Sequence, residues 1–338
     1  MNEDVRKLFQ SIDAPEFEYR ELAAVERWQA AAQRWPLLTQ TNRLLMERLF
    51  GRLLDGPRAS ESRRQVRRAA SIALVSLHGG VGRTTLAANL AAALGQNGRT
   101  TVAVDLDPQN SLALHFGIEA GEPFGLCAPS VSGQEVSAWF NRFRTTAAVV
   151  PFGRLESGQL ATLEQMIGRD PSWLHKRLDA VIPDSTELIV FDTPARTSTW
   201  TKCALSIADT VLVVVEPDAA CYSTLPALEA FLEETMPGVQ ARRRAHYLVN
   251  NFDARRALDR DVLASLRGMM PDRVIARPVH ADEVVPEALA RRKFVVQEGP
   301  NSQVVSEISA LAVWAEVSAT EVRETVSGPA MVPAAAAR

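Results

Sequence analysis

The sequence has 338 residues, of which 46% are hydrophobic and 23% are charged, so it is long enough for one large α/β domain with additional segments. The net charge of -3 is not the electrostatic footprint of a nucleic-acid-binding protein. No apolar run approaches the ~20 residues that cross a bilayer, and the N-terminus lacks the basic start and apolar core of a signal peptide. We therefore predict a cytoplasmic protein with no nucleic-acid partner and no direct membrane anchor.

Residues 1–54 are predicted to form a small, mostly helical module ahead of the main domain. A helix over residues 21–34 is expected to end at Trp35, because Pro36 disfavours helical backbone at the residue before it. Residues 38–54 carry leucines at helical spacing, which predicts a further helix. So short a module cannot bury this many large apolar side chains by itself, so we expect it to dock on another surface.

Two segments of biased composition flank the main domain. Residues 55–70 contain glycine, proline and serine followed by a basic run of Arg63, Arg64, Arg67 and Arg68, which is typical of a basic, solvated linker, with a phosphate-binding patch as the alternative. Residues 327–338 are rich in alanine and proline and are predicted to be a disordered tail.

From residue 71 to 326 short apolar runs alternate with helical patterns. This alternation predicts an α/β fold, a mostly parallel twisted sheet with helices on both faces. Strands are predicted at residues 72–75, 101–104, 147–151, 188–191, 211–215, 247–249 and 274–276. The clearest helices are predicted at residues 223–234, 258–270, 281–292 and 304–326, the last with Val305, Ile308, Leu311, Val313 and Val317 facing inward.

A glycine-rich loop, SLHGGVGRTT, joins the first of these strands to the helix that follows it, over residues 76–85. Glycines let backbone N–H groups turn around an anion, and the N-terminus of the next helix adds partial positive charge. The order strand, glycine loop, helix therefore predicts a phosphate site. Its predicted nucleotide-binding residues are Gly79, Gly80, Val81, Gly82, Arg83, Thr84 and Thr85.

Carboxylates follow two of the predicted strands. Asp105 and Asp107 come after the second strand, and Asp192 comes after the fourth. Ligands of open α/β sheets bind beyond the carboxyl ends of the strands, so these side chains are expected to converge near the Thr84 hydroxyl. Magnesium favours a few carboxylates together with water and nucleotide oxygens. We therefore predict Thr84, Asp105 and Asp192 as metal ligands.

The GGVG-x-TT loop resembles the deviant phosphate loop of the MinD/ParA family of dimerising P-loop ATPases. The resemblance implies ATP and Mg²⁺ as ligands and a homodimer held by ATP. It implies that Asp107 orients the attacking water, and that Thr193 and Pro194 belong to a second switch at the dimer interface. It also implies that Asn250 binds adenine, and that a loop containing Pro278 and His280 closes over the base.

A closer resemblance is to the BcsQ branch of that family, which serves bacterial cellulose secretion. It rests on the sequences at His78–Gly82, Pro151–Gly153, Asn250–Phe252 and His280–Glu283. The N-terminal module resembles BcsR, a short partner of BcsQ, through Phe17–Tyr19 and Arg34–Leu38. The resemblance implies a natural BcsR–BcsQ fusion. It also implies cellulose synthase and secretion components at the cytoplasmic face of the inner membrane as partners, to which the protein would be recruited.

Both loop lysines of the wider family are replaced, one by His78 and one by Arg83. An arginine keeps the charge, but its planar fork is not interchangeable with an ammonium group. His78 lies where the family's second lysine would reach the nucleotide of the opposite protomer, and an ordinary imidazole is mostly neutral at cytosolic pH. Because a comparable arginine finger contributes ~10³–10⁵ in rate, we expect ATP binding with slow hydrolysis or none.

Three other functions are less consistent with the sequence. A partitioning ATPase that binds DNA would need a basic face, whereas the last helix carries Glu307, Glu316, Glu321 and Glu324. A membrane-positioning ATPase would need a basic amphipathic C-terminal helix, which residues 331–334 do not supply. A fully active metabolic ATPase or kinase is the third alternative. The replacement of both loop lysines is unfavourable to rapid hydrolysis and so to this function.

Overall fold

The computed structural model describes residues 30–31, 34–51, 69–118, 124–127, 133–142, 147–238 and 243–327. The predictions for residues 1–29, for most of the linker and for the C-terminal tail lie outside these residues. No helix within the described ranges is long and apolar enough to cross a membrane.

Six parallel strands form one sheet in the order β3-β2-β4-β1-β5-β6. Nearly every residue of these strands is buried, as expected for a parallel sheet covered on both faces. The α/β prediction is therefore confirmed. The strands are β1 (Ala70–Val75), β2 (Thr101–Asp105), β3 (Ala148–Val150), β4 (Leu188–Asp192), β5 (Thr210–Val215) and β6 (Ala245–Val249).

The predicted seventh strand is wrong, because Val274 forms only an isolated bridge to Tyr247. The segment still runs beside β6, where Ile275 and Val279 donate hydrogen bonds to carbonyl oxygens of that strand. Pro278, between them, has no N–H to continue the ladder. The chain therefore follows the edge of the sheet without becoming a strand.

Helices connect the strands and cover both faces of the sheet. The helix predicted over residues 223–234 is confirmed as Leu225–Thr235, preceded by a separate short helix that ends at Ser223. The helix predicted over residues 281–292 begins only at Val284. The described helices are α1 (Pro36–Gly51), α2 (Arg83–Gln96), α3 (Leu112–His115), α4 (Gly133–Arg142), α5 (Ser157–Arg169), α6 (Trp173–Val181), α7 (Thr199–Ile207), α8 (Ala219–Ser223), α9 (Leu225–Thr235), α10 (Ala257–Met269), α11 (Val284–Ala290), α12 (Val295–Glu298) and α13 (Gln303–Ser327).

The long closing helix α13 packs along α2, the helix that follows the glycine loop. Its predicted inward face was partly wrong, because Val313 and Val317 are 55% and 50% exposed. The buried stripe instead consists of Val304, Ile308, Leu311, Ala312, Ala315 and Ala319. Three of these six residues are alanines, so small side chains form half of the buried face and the larger Val313 and Val317 lie outside it.

Helix α1 packs in cis on the main domain, against α8, α9 and α10. Leu38 and Leu45 are fully buried, as the docking expectation required, whereas Leu44 is 41% exposed. Polar contacts supplement this apolar stripe. The Trp35 indole donates to Asp261 at 2.8 Å, and the Tyr222 hydroxyl donates to Asn42 at 2.5 Å. These contacts join the end of the N-terminal segment to the main domain.

We expect Leu38→Ala to lower the free energy of unfolding by about 3 kcal/mol, because it removes a fully buried side chain from the seam between α1 and the domain. Leu44→Ala is the matched control on the same helix and should change it by less than ~0.5 kcal/mol. Chemical denaturation followed by circular dichroism measures both. Equal effects of the two substitutions would contradict the packing of α1 on the domain.

Candidate nucleotide-binding site

The glycine loop begins where β1 ends, at Val75, and passes into α2 at Arg83. Gly80 and Gly82 have φ of +83° and +78°, a conformation that favours glycine. A Cβ at Gly79 or Gly80 would meet no atom within 4 Å, so open space lies above this part of the loop. An exposed, glycine-lined turn at a helix N-terminus is the arrangement that cradles phosphate.

Asn250, which follows β6, holds the glycine loop in place through its side chain. Its side-chain nitrogen donates to the carbonyl oxygen of Val81 at 2.8 Å, and the residue is only 5% exposed. A Cβ at Gly82 would lie 2.4 Å from that nitrogen. The amide thus fixes the shape of the loop, and its second N–H and its oxygen remain for the predicted contact with adenine, which stays a prediction.

Arg83 points into the protein rather than into the open cradle. Its Nε donates to Asp192 at 3.0 Å, one terminal nitrogen donates to the Ser76 hydroxyl at 2.9 Å, and the other lies 3.4 Å from Asp107. The side chain is 7% exposed. Its predicted contact with phosphate would require the guanidinium to leave this position.

The two carboxylates at the ends of β2 and β4 are fully buried. Burial raises the pKa of Asp192, and the positive charge of Arg83 and the nearby Thr84 hydroxyl oppose that shift. Burial also raises the pKa of Asp105 well above its usual range, and the charge of Asp192 adds to the effect. The sheet register explains their proximity, since Asp105 and Asp192 lie opposite each other on adjacent strands.

The residues present fit a magnesium ion held mainly by Thr84 and Asp192. The second oxygen of Asp192 is buried and has no hydrogen-bond partner among the described residues, so it can accept a cation. Both oxygens of Asp105 already accept backbone N–H groups, from Asp107 and Leu112. In the described ranges no group of three His, Cys, Asp or Glu side chains is arranged to hold a metal. Nucleotide oxygens and water would complete such a shell.

The other predicted switch residues lie in different environments. Asp107 is 14% exposed and accepts from the Gln109 backbone at 3.0 Å. Thr193 is fully buried and donates to the Leu74 carbonyl at 2.8 Å, so its side chain supports β1 and does not reach the surface. His78, in the loop, and Pro194, two residues after the end of β4, are partly exposed. The switch and interface roles of these residues stay predictions.

The predicted base-covering loop is tied to the closing helix by Glu307. Its carboxylate accepts from the His280 backbone at 2.8 Å and lies 2.6 Å from the His280 ring. Glu307 is 9% exposed, which corrects its interpretation as a surface acid of the last helix. Pro278 is partly buried on the same loop. The loop is therefore held in place from α13, whether or not it contacts a base.

A family model described as "Cellulose biosynthesis protein BcsQ" matches residues 69–315. The chain belongs to the BcsQ family. A second model, "Cellulose biosynthesis protein BcsR-like", matches residues 2–41, so the BcsR-like region reaches into α1. The resemblance inferred from the motifs is confirmed in both parts of the chain.

Known relatives place the family among MinD- and ParA-like ATPases. The chain is 32% identical to the chromosome-partitioning ATPase Soj of Thermus thermophilus over 251 residues, covering 71% of this chain and 91% of Soj. It is 28% identical over 257 residues to BcsQ of Escherichia coli K12, covering 72% and 93%. The structure of MinD from Pyrococcus horikoshii with Mg-ADP has the same fold, with a TM-score of 0.52, 21% identity and coverage of 72% and 94%.

Sequence reasoning missed two residues of the site. Ser76 is the first residue of the loop. Its hydroxyl donates to the His78 carbonyl oxygen at 2.9 Å and accepts from Arg83. A lone serine after a strand gives no signal of this role. Glu307 was also missed, because its contacts with the loop at His280 come from a helix distant in sequence.

We expect Gly82→Ala to destabilise the BcsQ-like domain more than Gly98→Ala. Both glycines have positive φ, but a Cβ at Gly98 meets open space, whereas one at Gly82 collides with Asn250. The left-handed strain of about 1–2 kcal/mol is common to both, so the difference in free energy of unfolding isolates the collision. Adding Asn250→Ala to Gly82→Ala should recover part of that difference. No difference between the two glycine variants would contradict the clamp.

Proposed function

We propose that the protein is an ATP- and Mg²⁺-dependent dimerising regulatory subunit of a bacterial cellulose secretion system, which hydrolyses ATP slowly or not at all. Membership of the BcsQ family and the BcsR-like N-terminal match support the pathway. The observation that carries the biochemical part is the open glycine loop with Arg83 engaged on Asp192 and Asp107. We place the protein in the cytoplasm, recruited to the inner-membrane secretion complex.

The residues of the loop are suited to binding a nucleotide. Backbone N–H groups around Gly79 and Gly80 would surround the phosphates, while Thr84 and Asp192 would hold Mg²⁺. A MinD of this fold has been solved as a complex with Mg-ADP. The metal would neutralise phosphate charge. Asn250 keeps the loop in its binding shape through Val81.

Slow hydrolysis follows from the two positions that lack lysine. Arg83 is engaged with the buried Asp192 and the partly exposed Asp107, so in this position it is not available to neutralise a γ-phosphate. His78 replaces the lysine that the family would use across a dimer interface, and its side chain is shorter than that of a lysine. Asp107 is retained as the residue that would orient water, but it faces the Arg83 guanidinium. We infer a nucleotide-held dimer whose main output is assembly.

The N-terminal segment is the proposed recruiting element. Helix α1 anchors it to the domain through Leu38 and Leu45, so the preceding BcsR-like residues are tethered to the ATPase domain. Secretion components at the cytoplasmic face of the inner membrane are the proposed partners.

A partitioning function is the second candidate, because the relative named chromosome-partitioning ATPase Soj is 32% identical. Glu316 and Glu321 on α13 are unfavourable to DNA, although Glu307 is buried in the loop contact and does not contribute to that surface. Salt-dependent retardation of non-specific DNA by the ATP-bound protein would favour this candidate over the secretion subunit.

The proposed function predicts that Mg-ATP doubles the solution mass of the wild-type protein and that Thr84→Ala stays monomeric with less bound nucleotide. The substitution removes the hydroxyl ligand at the start of α2. Light scattering combined with analysis of the co-purified nucleotide measures both effects. Thr162→Ala is the matched control, since its exposed hydroxyl only donates to the Gly158 carbonyl oxygen within α5. A wild-type protein that neither binds ATP nor changes mass would refute the proposal.

A further inference from the structure

Arg83 makes three contacts within the acidic cluster beneath the loop. It donates to Asp192 at 3.0 Å and to Ser76 at 2.9 Å, and its third nitrogen lies 3.4 Å from Asp107. Ser76 in turn donates to the His78 carbonyl at 2.9 Å. One guanidinium thus links the ends of β1, β2 and β4 to the entrance of the loop.

The carboxylates need this cation. Asp192 is fully buried and Asp107 is 14% exposed, and each has an ion pair with Arg83. A buried carboxylate left without its partner is strongly unfavourable, because the protein interior solvates charge poorly. The arginine therefore stabilises the protein when no other cation is at the cluster.

A magnesium ion would bind the same carboxylate through its other oxygen. The free oxygen of Asp192 belongs to the carboxylate whose other oxygen already binds Arg83. Two positive charges on one buried carboxylate repel each other, and each weakens the binding of the other.

We propose that Arg83 is the resident counter-ion of the nucleotide-free protein and that Mg²⁺–nucleotide binds only after the guanidinium leaves Asp192 and Asp107. The inference rests on the proposed nucleotide site. It makes Arg83 a positioning residue that sets the population of the binding-competent loop. If that state is populated at about a tenth, the apparent affinity for nucleotide falls about tenfold.

The test compares thermal midpoints in EDTA and then in MgCl₂ without nucleotide. Arg83→Gln should lower the midpoint in EDTA by roughly 10 °C. Magnesium should then raise it by about 4 °C, and the wild type by much less, because the variant exposes the Asp192 carboxylate to the metal. Arg273→Gln is the matched control. Arg273 pairs with the buried Glu229 at 2.8 Å, and both residues are distant from the loop in sequence. It should lose stability without any recovery in magnesium.

A second variant keeps the charge at the site. A lysine at position 83 cannot make all three contacts at once, so Arg83→Lys should bind Mg²⁺–ADP about tenfold more tightly than the wild type in calorimetric titrations. An Arg83→Gln protein as stable in EDTA as the wild type would overturn the proposal, as would equal magnesium shifts in both proteins. If neither the wild type nor the Arg83 variants bind nucleotide, the proposed function fails. The comparison of thermal midpoints in EDTA and in MgCl₂ still decides the role of Arg83.

Discussion

The buried carboxylate of Asp192 is the constraint on which the rest of the site depends. It lies at the end of β4, beside the loop-bearing strand β1, where solvent cannot stabilise its charge. Arg83 neutralises it from the first turn of α2 and brings Ser76 and Asp107 into the same network. The shape of the loop and the placement of its switch residues are therefore coupled to one ion pair.

Parallel strand order makes this coupling possible. β1 lies between β4 and β5, so the loop after it is next to the residues that follow both neighbours. Asn250, after β6, reaches the loop carbonyl at Val81, and Thr193, after β4, supports Leu74 from the other side. The loop is thus held at Val81 and its preceding strand at Leu74, while Gly79 and Gly80 remain open to a ligand.

Strand positions and the glycine loop could be predicted from the sequence because apolar runs and glycine spacing are local signals. The direction of the Arg83 side chain could not, because it depends on carboxylates brought together by the sheet. The inward face of α13 was partly mistaken because hydrophobicity favoured Val313 and Val317 over the alanines that are actually buried. Glu307 was assigned to the surface for a related reason, since its partner His280 lies on a separate loop.

The central claim is that one arginine and one metal–nucleotide complex compete for Asp192. A pair of crystal structures, one of the nucleotide-free protein and one with Mg-ADP, tests it most directly. We predict the Arg83 guanidinium on Asp192 and Asp107 in the first, and displaced from Asp192 in the second, with the metal near Thr84. An arginine that stays on Asp192 while Mg-ADP is bound, or one that never contacts Asp192 in the free protein, would contradict the account.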